Sequence, residues 1–413
     1  MAAFDPASSA FAADPYPVYA ELRAHSPVHY LESVQWWWVT RYRDVVQALG
    51  DRRFGKVEPR PVDGTGAAAA GRTPPAATGS APPPAYRRLT EMPPHMLESD
   101  PPTHTRLRAL VSRAFTPAVV ESLRPRVAEL AAAAVARMAE MGEADLVRDF
   151  AFPIPVTIIA ELLGVPAEDQ DRFREWSNTF VRALDVTQQR IPGVREAGMA
   201  AAAALIEYLE ALVAERRTRP RSDLISGLVA AHETTDRLSL GEIVATAQLL
   251  LVAGHETTTG LLGGGALSLL RHPDQLAAVL ERPEGWPVAV EELLRYESPV
   301  QRFNRFVLDD VELGGRVLRR GERLSLVFAS ANRDPDAFED PDRLDLGRTP
   351  NRHVAFGGGI HYCLGAPLAR LEAQVAFPAL LPYVEWVGEP VWRPGAVLRG
   401  LQALPVRVRR PTP

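Results

Sequence analysis

The sequence predicts a predominantly α-helical chain with small β-sheets, an α+β organisation, and three observations carry that reading. Apolar residues recur at helical spacing over residues 118–141, 166–184 and 199–217. A capping box, Ser239-Leu240-Gly241-Glu242, stands directly before the apolar stretch 243–253 and announces a long helix. Strand-like runs are short by comparison: Trp36-Trp37-Trp38-Val39-Thr40, and pieces of 311–327 around Gly314-Gly315 and Gly321.

Composition bounds the function classes. Of 413 residues, 46% are hydrophobic and 23% charged, and the formal net charge is −5, enough apolar material for a large core and no basic excess that would suggest nucleic acid. No charge run or linker divides the chain, so one domain over 1–413 is expected, acting as a monomer. A single cysteine, Cys363, allows no intramolecular disulfide and fits a reducing cytoplasm. The first residues, MAAFDPASSAFAADPYPVY, lack a basic stretch followed by an apolar core, so neither signal peptide nor membrane anchor is expected. Residues 200–214 are Ala-rich but carry Glu207 and Glu210, and read as an amphipathic helix rather than a membrane span.

In chain order, the tryptophan run suits a strand of a small sheet. The Pro/Gly/Ala-rich segment at about 57–98 is expected to be flexible: apart from its prolines, 64–85 has no apolar residue larger than alanine and cannot build core. It reads either as an entrance lid or as a surface insertion without function. The capped helix should reach about Arg271, before His272-Pro273, giving about 30 residues and about 45 Å. In its middle, Ala253-Gly254-His255-Glu256-Thr257-Thr258 combines a glycine with consecutive β-branched residues, and a local break is expected there. Two decoys fall away. His232-Glu233-Thr234-Thr235 repeats four letters of that stretch without an apolar helix around it and reads as a helix end, while H-E-x-x-H for zinc fails because residue 259 is threonine. Gly263-Gly264-Gly265 has no strand before it and marks close packing or a bend rather than a phosphate loop.

The chemistry concentrates in Phe356-Gly357-Gly358-Gly359-Ile360-His361-Tyr362-Cys363-Leu364-Gly365. A lone cysteine is ordinarily a small buried apolar residue. Here glycines flank it, free to turn amides toward the sulfur and to pass close to a flat macrocycle. Residues 364–372 read as a helix with Pro367 in its first turn, which would set Cys363 at the positive end and lower its thiol pKa. Phe356 can shield a thiolate from water, and His361 can reach an anionic group.

On these residues the chain resembles the bacterial cytochrome P450 family over nearly its whole length. The resemblance implies the cytochrome P450 fold and haem b, its iron bound by the Cys363 thiolate, with Phe356, Gly357 and Gly365 around it and O2 as co-substrate. It implies propionate anchors at His104 and Arg108, at Arg305, at His353 and at His361. Glu256 and Thr257 match the family's acid and alcohol pair, which deliver protons to dioxygen. Glu292 and Arg295, three apart on one helix face, match a buried pair joined by a later arginine, assigned to Arg343 in residues 338–348. Carried-over pocket residues are Leu249, Val252, Ala253, Val300, Gln301, Arg302, Phe303, Asn304, Leu398 and Leu401. The implied activity is a cytoplasmic monooxygenase inserting one oxygen atom into a hydrophobic small molecule, by hydroxylation or epoxidation, in bacterial secondary metabolism or catabolism. Electrons would come from a ferredoxin and an NAD(P)H-dependent ferredoxin reductase, with Arg106, Arg113 and Arg370 as docking charges. A haem-thiolate enzyme of oxidative-coupling or peroxide-driven type, a non-catalytic haem sensor and a haem-free helical protein are the competing readings.

Overall fold

The computed structural model describes residues 4–59, 91–184, 191–232 and 238–410. The capping box forms as the sequence predicts: Ser239 Oγ accepts from the Glu242 amide at 3.1 Å, and the Glu242 carboxylate accepts from the Ser239 amide at 2.7 Å. The helix that starts there, Leu240–Arg271, is 32 residues long and crosses the molecule. It does not break at 253–258. Thr257 Oγ1 donates to the Ala253 carbonyl at 2.9 Å and Thr258 Oγ1 to that of Gly254 at 3.3 Å, so both hydroxyls fold back onto their own turn. Packing then overrides the weak local propensity, for this central helix touches Pro153–Leu163, Val194–Thr218, Trp286–Glu297 and Ala366–Leu380.

Its glycines mark those approaches. A Cβ on Gly265 would lie 2.7 Å from the Phe377 ring, and one on Gly260 would lie 2.7 Å from the Arg399 carbonyl oxygen. The glycine triplet therefore marks close packing, one of the two alternatives the sequence left open: Gly263 faces Val147 and Leu401, Gly264 faces Glu297, and Gly265 faces Phe377.

The other helical stretches appear with adjusted ends. Residues 118–141 divide into Pro117–Ser122 and Arg124–Met141, residues 166–184 open with a 3-10 turn before Gln170–Leu184, and 199–217 lengthens to Val194–Thr218. Val194–Thr218 is long and apolar enough to cross a bilayer, yet Ala202, Leu205, Ile206 and Leu209 are buried inside the protein. His232 ends the helix Leu224–His232, and Glu233-Thr234-Thr235 lie outside the described residues. Of the segment 57–98, residues 60–90 also lie outside them, and with them the lid reading; the remainder includes a single 3-10 turn, Met96–Glu98, with Met96 buried.

The sheets are small. Five strands run in the order Val28–Leu31, Trp36–Val39, Arg323–Leu326, Phe303–Val307, Phe54–Gly55, with Trp36–Val39 and Arg323–Leu326 parallel and every other pair antiparallel. Val311–Leu313 and Arg316–Leu318 form a hairpin whose Gly314 and Gly315 both have positive φ. A ribbon of Val391–Trp392 and Leu401–Ala403 lies near the end of the chain.

The Glu292–Arg295 pair is fully buried, with Nε and Nη2 of Arg295 each 2.7 Å from a Glu292 oxygen. Its third member differs from the sequence expectation. Arg348, not Arg343, sends Nε to Glu292 at 3.1 Å. Arg343 sits in a turn after Asp340, where its carbonyl accepts from Arg295 at 3.2 Å while its side chain is exposed. Arg295 also donates to the carbonyls of Asn332 and Pro341, and Asn351 and the Asp345 amide donate to Glu292. The irregular chain that leads to Cys363 is thus fastened to Trp286–Glu297 by buried polar contacts.

Candidate active site

The cysteine loop is set by backbone bonds and two left-handed glycines. The Gly357 amide donates to Val354 and the Cys363 amide to Phe356, while φ is +68° at Gly357 and +63° at Gly359. At Gly359 a Cβ would also overlap the Leu49 carbonyl oxygen. Gly359→Ala is expected to cost about 1–3 kcal/mol by chemical denaturation. Gly358→Ala serves as control: φ there is −170° and the nearest Leu49 atom lies 3.4 Å away, so its effect should be within about 0.5 kcal/mol.

Past the loop, the helix Ala366–Leu380 begins two residues later than the sequence suggests, with Gly365 as its N-cap and Pro367 in the first turn. The amides of Gly365 and Ala366 donate to the Cys363 sulfur. Burial nevertheless pushes the thiol up, outweighing these amides and the charges of Arg108 and Arg370, which corrects the expectation of a lowered thiol. Local dipoles alone do not ionise this sulfur, whereas a metal bound to it does.

A continuous cavity of about 1520 Å³ reaches from this loop to the central helix. It is lined by Phe356, Gly357, His361, Cys363 and Gly365 of the loop and by Leu249, Val252, Ala253, Glu256 and Thr257 of the central helix, together with Val300, Leu398 and Leu401. Its lining gathers basic groups: His104 and Arg108 from Thr103–Ser112, Arg305 from Phe303–Val307, and His361. The His104 and His361 rings are 4.4 Å apart, and His361 Nε2 is buried with no hydrogen-bond partner. Burial, then Arg305, His104, Lys56 and Arg108, pushes His361 down to about 3. Burial also lowers Arg305 to about 10 and, helped by Arg305, Lys56 to about 7. Such gathering of like charges calls for an anion. The two propionates of a haem satisfy that call, so the residues present fit the cofactor the resemblance implies.

Lys56 is the residue that sequence reasoning missed beside these groups, and it carried a signal: it is the one lysine in a chain with 45 arginines. Its Nζ donates to the Asn304 carbonyl at 3.2 Å and lies 4.0 Å over the Phe303 ring, while the Asp100 carboxylate holds its amide at 2.9 Å. His353, by contrast, is not among them. Its Nε2 lies 3.1 Å from Glu291, which also binds Arg370 at 2.7 Å, so His353 turns beneath the loop toward Trp286–Glu297. Two of the expected docking charges are likewise committed, Arg370 to Glu291 and Arg106 to Glu242, while Arg113 is exposed.

Three of the pocket residues are corrected, Arg302 and Asn304 by strand alternation and Gln301 by its hydrogen bonds. Phe303 and Arg305 face the cavity, so Arg302 and Asn304 face away: Arg302 donates to the Ala396 carbonyl and Ser325 Oγ, and Asn304 Oδ1 accepts from Ser325. Gln301 accepts from Tyr19 and donates to the Glu297 and Ser298 carbonyls, also outside the cavity.

On the central helix, Glu256 is almost fully buried, one oxygen 3.2 Å from His255 Nε2 and the other paired with Arg393. Burial alone would raise its carboxyl, but His255 and Arg393 outweigh it and hold it down at about 2. His255 Nδ1 lies 2.7 Å from the Leu251 carbonyl, which fixes the ring. Glu372, on Ala366–Leu380, lines the same cavity beside Thr258, and burial pushes it up to about 8. Neither Arg393 nor Glu372 gave a local signal, since each meets the central helix only through the tertiary fold.

Comparison with known proteins agrees with this geometry. The family model described as Cytochrome P450 matches residues 74–281 and 287–392. The chain is 44% identical to cytochrome P450 107B1 of Saccharopolyspora erythraea, covering 98% of this chain and 97% of that one. It is 43% identical to cytochrome P450 monooxygenase PikC of Streptomyces venezuelae, covering 97% and 92%. Among solved structures, cytochrome P450 PksS of the bacillaene polyketide synthase of Bacillus subtilis 168 superposes with a TM-score of 0.86 at 37% identity, covering 99% and 100%.

Proposed function

The chain belongs to the cytochrome P450 family, and from that premise we propose that it hydroxylates or epoxidises a hydrophobic small molecule of bacterial secondary metabolism in the cytoplasm. Membership makes it an oxygen-incorporating oxidoreductase with haem bound through a cysteine thiolate. Bound in the cavity, the haem supplies the activation of dioxygen. Cys363 would ligate its iron, steadied by the Gly365 and Ala366 amides; His104, Arg108, Arg305 and His361, with Lys56 beside them, would hold its propionates.

The observation that carries the reading is that Glu256 and Thr257 line the same cavity as Cys363. Thr257 lines the cavity and donates its hydroxyl proton to the Ala253 carbonyl, so its oxygen keeps the capacity to accept a hydrogen bond. Glu256, held near 2, is a carboxylate at neutral pH and passes protons on by accepting them first rather than as a standing acid. Leu249, Val252, Phe303, Leu398 and Leu401 exclude water around the substrate. The polyketide context in the PksS name supports the secondary-metabolic assignment.

Electrons reach the family's bacterial members from redox partners, here assigned to a ferredoxin and its NAD(P)H-dependent reductase. The test supplies both with NAD(P)H and follows oxygenated product. Thr257→Ala should keep consuming NAD(P)H while product falls and hydrogen peroxide accumulates, and Glu256→Gln should slow product formation by about 10²-fold. Product made from added peroxide, with both variants as active as the parent, would favour the peroxide-driven alternative. No turnover under either regime would favour the sensor.

A further inference from the structure

One guanidinium in the cavity wall is only half used. Arg393 directly follows the strand Val391–Trp392, and its amide donates to the Gly400 carbonyl at 2.9 Å, so the ribbon with Leu401–Ala403 holds it above the central helix. Its Nη1 pairs with Glu256. Its Nε and Nη2 have no acceptor among the described residues, and the side chain is 32% exposed where it lines the cavity. A planar fork of N–H donors left open among Val397, Leu398 and Leu401 is a polar anchor in an apolar wall.

The charge of the neighbourhood decides what the fork receives. Glu256 already neutralises Arg393. A substrate carboxylate on the same guanidinium would leave a second, uncompensated anion beside a buried one, a costly arrangement. A neutral carbonyl oxygen accepts from Nε and Nη2 without that cost and gains a charge-assisted hydrogen bond. We propose that Arg393 is a specificity-determining residue that hydrogen-bonds a neutral carbonyl oxygen, a ketone or an ester, on an otherwise apolar substrate, and that Glu256 tunes it against acids. The inference rests on the monooxygenase reading and narrows its substrate class.

Three probes of one shape test it: 2-acetylnaphthalene, 2-isopropylnaphthalene and 2-naphthoic acid, titrated into the haem-loaded protein and read by spin-state shift, with no turnover. Each variant is first checked for the reduced, carbon monoxide-bound spectrum. In the parent the ketone should bind about 10-fold or more tighter than the hydrocarbon, the order expected for a hydrogen bond to a charged donor, and the acid should bind weakest. Arg393→Leu should bind ketone and hydrocarbon alike. Glu256→Gln, which leaves the guanidinium charge uncompensated, should raise affinity for the acid by about 10-fold. The proposal is overturned if the parent does not prefer the ketone, if that preference survives Arg393→Leu, if Glu256→Gln leaves the acid weak, or if no probe binds. All of these are distinguishable from failure of the underlying reading, which would show as a missing thiolate spectrum in the parent and would remove both.

Discussion

Cys363→His should abolish the strongly red-shifted Soret band of the dithionite-reduced, carbon monoxide-bound protein while leaving the helical circular dichroism intact. The band reports electron density pushed from a thiolate through the iron to the ligand opposite, which neutral imidazole does not supply. Haem should remain bound in the variant, because the basic groups His104, Arg108 and Arg305 do not depend on the sulfur. The parent and variant therefore separate ligation from cofactor retention. An unshifted band in the folded, haem-loaded parent would refute thiolate ligation, and unchanged spectra in the variant would place the ligand elsewhere. The physical basis is local: Cys363 is a thiol raised by burial, and only a metal at Sγ converts it to the anion that the Gly365 and Ala366 amides are oriented to receive.

The largest effect on stability is expected at the buried Glu292–Arg295 pair. Glu292→Ala strands a fully buried guanidinium and removes the acceptor for Arg348, Asn351 and the Asp345 amide, so denaturant unfolding should show a loss of about 3–5 kcal/mol. Arg348→Ala should also be clearly destabilising, because its Nε points at Glu292 and it donates to the Glu339 carbonyl. Arg343→Ala should stay within about 0.5 kcal/mol, since only its backbone carbonyl takes part. Equal losses for Arg343→Ala and Arg348→Ala would contradict this assignment of the third member.

These variants also show where the sequence was readable. The central helix was legible down to its first hydrogen bonds because a capping box is a local device, complete within Ser239–Glu242. The cysteine loop was legible because glycines at Gly357 and Gly359 answer a backbone demand that no neighbour can meet for them. The partner of Glu292 was not. Arg343 and Arg348 lie five apart in an irregular segment, and nothing local says which sends its side chain inward. His353 failed for the same reason, its partner Glu291 lying on a helix 62 residues earlier. Arg302 and Asn304 were a different kind of error: once Arg305 is placed inward, the two-residue period of a strand already turns them out. The expected break at 253–258 failed because tertiary packing is stronger than the propensities of one glycine and two threonines.

The single lysine gives the chain an unusual chemical economy. Apart from the α-amino group, Lys56 is the one primary amine that acylating reagents, aldehydes or lysine-directed proteases can address among 413 residues. Its Nζ lies over Phe303, a residue that lines the cavity, and burial brings it down to about 7, so a larger share of this amine is uncharged at neutral pH than of an ordinary lysine. Side-chain amine acylation of the folded protein is therefore bounded at one group per molecule, a labelling stoichiometry written into the composition of the protein.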